Sequence, residues 1–194
     1  VTGFFRGLMG AVSGTAAVEF SLFLFFILMP FLFGIFEIGR ALEQHHVVTK
    51  SVRDAARYVA RTRDDTKDPP EKFTVANPIE VDCAATGAIV GTSSPAAAGN
   101  AKDLAMYGVF NPDSNDTPLM AAWDAAANPA AYRTVCITGP AAPATPVVVD
   151  GETLDDISVV TVTATVPFED VMLQAFGLPP ITFNVSHQER YIGE

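Results

Sequence analysis

The stretch from Phe20 to Phe36 constrains this chain more than any other. Seventeen residues in succession carry no charge, and all but Ser21, Pro30 and Gly34 are Phe, Leu, Ile or Met. As a helix the run rises about 26 Å at ~1.5 Å per residue, the short end of what crosses a bilayer. It exceeds the ~7–15 residues of a signal-peptide core. Only Arg6 flanks it on the N-side, and no small-x-small cleavage site follows, so it reads as an uncleaved anchor. Directly before it stands Glu19, a carboxylate at the lip of hydrocarbon, and five residues earlier stands Gly14. A small residue, a short gap, a lone acid and an apolar helix are more than an anchor requires.

The helical pattern continues past Phe36. Ile38, Leu42, His45, Val48, Val52, Ala55 and Val59 recur at steps of three and four, one apolar stripe on an amphipathic helix. Arg40, Glu43, Lys50, Arg53, Asp54, Arg57 and Arg61 fall mostly off that stripe. After a Gly-rich leader over 1–14, anchor and stalk read as one helix over 15–63, about 49 residues and ~73 Å long, well beyond an ordinary globular helix. Pro30 is expected to kink it. Gly34 and Gly39 are expected to admit a neighbouring helix.

The charge is split. Residues 1–63 hold seven Lys/Arg against four Asp/Glu, whereas 64–194 hold five against eighteen, within a formal net charge of −10. So acidic a distal part argues against nucleic acid or anionic lipid as its partner. Lys/Arg counts beside the span, Arg6 before it and Arg40, Lys50 and Arg53 after it, taken alone favour a cytoplasmic C-terminus. Two features oppose that. Long domains translocate largely regardless of charge. Cys83 and Cys136 are an even pair in a small domain with no CxxC, which fits an oxidising compartment. The domain is therefore placed outside the cytoplasm. A Cys83–Cys136 disulfide would close about 53 residues, worth roughly 4 kcal/mol by loop entropy; the alternative is two free buried thiols.

Within the distal 64–194 domain, residues 62–72 form an acidic linker broken by Pro69-Pro70, and 79–83 alternate as a short strand. The Gly/Ala/Ser/Pro-rich 86–99 read as a loop. Asn100 is expected to cap a short helix, AKDLAMY, closed by Gly108, and Pro118 to start another, LMAAWDAAA. A strand is expected over 132–138 and a loop over 138–146. The clearest β signal is last: Val160, Val162, Ala164 and Val166 alternate with three threonines, and Ile181, Phe183 and Val185 alternate with Thr182, Asn184 and Ser186. Two or three antiparallel strands need a cover, and the stalk stripe supplies one. The expected fold is α+β: a long transmembrane-plus-stalk helix packed on a small antiparallel sheet, pilin-like.

GTAAVEFSLFLFFILMPFLFGIFEIGRAL at 14–42, with SVRDAARYVAR at 51–61, resembles the TadE/TadG-like pseudopilins of tight-adherence (Tad/Flp) pilus systems; AKDLAMYG at 101–108 and the terminal strand pair add to the likeness. The resemblance implies a minor pilin-like subunit in the bacterial inner membrane, its N-terminus cytoplasmic and its domain periplasmic, able to join a pilus. It implies other pilin-like subunits, the assembly platform and a prepilin peptidase as partners. Gly14 matches the residue before the family's scissile bond. Thr15 then becomes the new N-terminus and Glu19 its fifth residue, a register charge between subunits. A leader with only Arg6 is less basic than prepilin leaders usually are.

The remaining candidates have ordinary readings. His45 and His46, about 100° apart on a helix, do not share a metal easily. His45 is expected to pack on the stripe, and His187 stands alone on a strand. Asn111, Asp113, Asn115 and Asp116 partly match a calcium loop, but Asp116 holds its glycine position and Ala122 its glutamate position, leaving an Asx-rich turn. No nucleophile elbow, phosphate loop or zinc pair occurs, so no enzyme, cofactor or metal is expected. Two other readings share the anchor: a membrane-anchored periplasmic binding or sensor domain, and an uncleaved envelope scaffold.

Overall fold

The computed structural model describes residues 12–81, 94–123, 134–141, 148–149, 152–153, 157–168, 177 and 181–194. The protein is α+β. Helix α1 (Val12–Arg61) is followed by β1 (Ile79–Val81), α2 (Pro95–Tyr107), a 3-10 turn (Ala121–Trp123), β2 (Thr134–Ala141), β3 (Val148–Val149), β4 (Glu152–Thr153), β5 (Val159–Pro167) and β6 (Thr182–Arg190). Two compact units divide at Arg40/Ala41, inside α1. The expected helix was 15–63; the observed one already includes Gly14 and ends two residues sooner. It runs on through Pro30 as a single element.

The second unit, Ala41–Glu194, holds the sheet. Its four main strands lie in the order β1-β2-β5-β6, all antiparallel, and β3-β4 form a separate pair. The alternation read from β5 is exact in burial: Val160, Val162, Ala164 and Val166 are fully buried, and the threonines between them are not. These valines join Val135 and Ile137 of β2 and Val48, Val52, Ala55, Ala56 and Val59 of α1 in one core. Burying each valine contributes on the order of 1.5–3 kcal/mol, so the stalk stripe is the sheet's cover. The stripe is covered only from Val48 onward. Ile38 and Leu42 stay exposed, and His45 is exposed with its ring edge-on to Phe183 at 5.6 Å.

Helix α2 starts earlier than expected. Ser94, not Asn100, is its cap: the hydroxyl accepts from the Ala97 N–H at 3.3 Å and donates to Asp65. Pro95 follows at the first helical position, where a missing N–H does no harm. A Ser-Pro start inside an Ala/Gly-rich stretch looks like a loop by composition. Gly108 closes the helix as expected. Pro118 begins no helix: 118–120 are irregular, and one 3-10 turn follows before the described residues end at Trp123. Strand β2 continues to Ala141, through residues read as loop, because a bulge between Thr138 and Ala141 absorbs Gly139. There φ is +143°, and a Cβ would lie 2.8 Å from the Val160 Cα, so β5 can approach only a glycine.

Residues 62–72 are anchored rather than free. Asp64 is fully buried. Its carboxylate accepts from the Thr66 N–H at 3.1 Å, the Thr66 hydroxyl, and the Asn77 amide at 3.3 Å, which compensates the burial of the charge. The last residues of the chain then close on the end of α1. Ala60 O accepts from the N–H groups of Ile192 (2.8 Å) and Gly193 (3.1 Å). The Tyr191 hydroxyl donates to Thr62 O at 3.0 Å and accepts from the Phe73 N–H at 2.8 Å. Arg63 and Lys72 donate to the carbonyls of Gly193 and Ile192. A helix end leaves its last carbonyls without partners; here the Thr62 N–H serves those of Tyr58 and Val59, and the C-terminus serves that of Ala60.

Candidate functional site

The candidate site is the first unit, described from Val12 to Arg40. Every Phe, Leu, Ile and Met from Phe20 to Phe36 is exposed, Phe20 at 64% and Phe26 at 69%. No described residue covers them. The helix is long and apolar enough to cross a membrane, its best window reaching a mean hydropathy of 2.3. The polar groups in and beside the run are few. Ser21 donates to Ala17 O at 2.7 Å, the back-bond that lets a hydroxyl sit in an apolar helix. Beyond the run, Arg40 pairs with Glu37 one turn back, at 3.6 Å.

Glu19 is exposed on α1, immediately before the run. Gly14 and Thr15 lie in the same helix, one turn before it. Pro30 has no N–H to offer the Phe26 carbonyl. A Cβ at Gly14, Gly34 or Gly39 would meet nothing within 4 Å, so no contact among the described residues asks for glycine there. Gly34 and Gly39 are five positions apart, about 140° around a helix, and so face two directions rather than one.

Other predicted residues fall elsewhere. Cys136 lies on β2, 7% exposed, opposite Thr163 of β5. Cys83 lies outside the described residues. His45 and His46 present their rings 6.3 Å apart at 72° to each other. His187 has a neighbour the sequence did not predict, Glu189, at 3.2 Å. The Asx-rich segment is a self-satisfied turn: Asp113 accepts from the Asn115 N–H at 2.7 Å, and Asp116 accepts from the Asp113 N–H at 2.8 Å. Sequence reasoning missed a cleft of about 320 Å³ between α1 and α2, lined by Val47, Lys50, Ser51, Asp54, Leu104 and Leu119. Its residues come from segments ~50 positions apart, and no local spacing signals such a meeting.

One comparison bears on this helix. Residues 14–57 match the TadE-like protein family. No curated protein and no solved structure matches the chain. The TadE-like match agrees with the resemblance read from the sequence, over the segment that carried it. It takes in Gly14, Thr15, Glu19, Pro30, Gly34 and Gly39 and stops inside α1. The sheet, α2 and both cysteines lie beyond it.

Proposed function

We propose that this chain is a membrane-anchored pseudopilin, a minor subunit of Tad/Flp-type pilus assembly, and that it works by helix packing rather than catalysis. One observation carries the reading: the TadE-like match takes in the apolar run Phe20–Phe36, whose large side chains no described residue covers. In the inner membrane lipid covers that surface; in an assembly, neighbouring subunits do. Gly34 and Gly39 each cost roughly 1 kcal/mol of helix propensity with no return among the described residues, and they would admit two neighbouring helices. Glu19 would set axial register by pairing with a cation such as a neighbour's amino terminus at Thr15. Gly14 and Thr15 would flank the cut made by a prepilin peptidase. The domain would be periplasmic, with the Cys83–Cys136 disulfide as its staple. Other pilin-like subunits and the assembly platform would be the partners.

The cleft between α1 and α2 favours the second reading, a membrane-anchored binding or sensor domain. Its volume is at the low end of ligand sites, roughly 300 Å³ and above. Intact mass separates these readings. Protein isolated from membranes of peptidase-competent cells should begin at Thr15, and Gly14 replaced by a bulky residue should insert but stay uncut. A full leader on the wild-type protein in such cells would leave the uncleaved scaffold or the sensor in its place.

A further inference from the structure

Beyond Ala41 the helix carries a second surface that the core does not use. Lys50, Arg53, Arg57 and Arg61 are all exposed. At ~100° per residue they fall within about 80° of the helix circumference and span roughly 17 Å along it. They form a basic face directly opposite the buried stripe of Val48, Val52, Ala55 and Val59. None of the four side chains makes an ion pair or hydrogen bond with any described residue. The four cations repel each other and are only partly offset by half-buried Asp54 at the edge of the row, and the row is set in a protein whose residues 64–194 hold eighteen acids against five bases. Asp68, Glu71, Asp113 and Asp116 are exposed members of that acidic set.

We propose that the basic face of α1 docks the acidic domain of a second copy of this chain. This rests on the pseudopilin reading and names a partner surface for it. Charge complementarity chooses the occupant. An anionic membrane or a nucleic acid brought to the stripe would also meet the acidic domain and be repelled by it. A second copy presents the opposite charge in its own domain. The like net charges of two copies are screened beyond the Debye length of ~8–10 Å, so the local match governs the contact. Stripe and acids are different residues of one chain, so two copies can meet reciprocally, the stripe of each on the acids of the other.

The test uses full-length protein in uncharged detergent, with two tags to follow co-purification. Wild-type copies should associate at low salt and weaken about tenfold at high salt. The triple variant Lys50→Gln, Arg53→Gln, Arg57→Gln should keep its helix content by circular dichroism and associate with itself about tenfold more weakly. Mixed with wild type it should still pair, because its acidic face is intact. Copies that do not associate, a triple variant that associates as wild type does, or stripe-dependent binding to phosphatidylglycerol vesicles in place of self-association each overturn the docking. Leader processing is read separately. A chain cut at Gly14 whose association ignores the stripe sinks this contact and spares the pseudopilin. An uncut chain whose association follows the stripe does the reverse.

Discussion

Glu19 is a carboxylate next to seventeen apolar residues. At mid-bilayer a charge costs about 3 kcal/mol and near the edge far less, so a monomer tolerates it through headgroups and water. A packed bundle excludes both, and a partner cation is then needed. Glu19→Ala should therefore insert and accumulate normally but fail to crosslink to other pilin subunits, with Glu19→Asp intermediate. An alanine variant that crosslinks and supports pili as wild type does would reduce Glu19 to an interfacial residue. Tyr191 matters for a different reason. Its hydroxyl is both donor to Thr62 O and acceptor from the Phe73 N–H. Tyr191→Phe should cost about 1–2 kcal/mol in denaturant unfolding. Burial raises the Tyr191 pKa, and hydrogen bonding from Phe73 only partly opposes this. The neutral form is the one the fold prefers. Its contribution is thus complete below the unfolded pKa of about 10 and is lost as pH rises through the folded value; Tyr191→Phe should remove that alkaline loss.

At the scale of elements, the sheet depends on one close approach. Gly139 sits in the β2 bulge with its Cα against the β5 backbone. Gly139→Ala should destabilise the domain by about 1–3 kcal/mol, read as a lower melting temperature. A variant as stable as wild type would mean that the bulge relaxes. The periodic elements were legible: α1 from its unbroken stripe, β5 and β6 from their alternation. The β2 extension and the start of α2 were not. Each is decided by a partner far along the chain, β5 for Gly139 and the Asp65 loop for Ser94. Composition around Gly139 and Pro95 says only that regular structure is disfavoured.

For the whole molecule the open quantity is orientation. The cysteine pair argues for a periplasmic domain against the local cation count. A phosphatase fused after Glu194 should be active and a cytoplasmic reporter dark. In the same cells, alkylation without reductant should leave Cys83 and Cys136 unlabelled. The opposite reporter pattern would overturn topology and disulfide together, since a reducing compartment does not keep the bond. Labelled cysteines with an active phosphatase would sink the staple alone.

By itself the sequence determined the apolar run, the stalk stripe, the paired strands and the likeness of residues 14–57 to the TadE-like family. Each is local, a matter of hydropathy and period within one segment, and a segment's period fixes which of its faces seeks cover. Tertiary structure decided what covers what. It buried the stripe from Val48 onward and left Leu42 at 57% exposure. It brought Tyr191, Ile192 and Gly193 to the carbonyls of Ala60 and Thr62, about 130 residues earlier. It also set four cations outward on α1 with no ion pair to any described residue. The sequence shows those cations off the stripe but not that the described acids beyond residue 64 make no ion pair with them, because pairing depends on distances that only the folded chain defines.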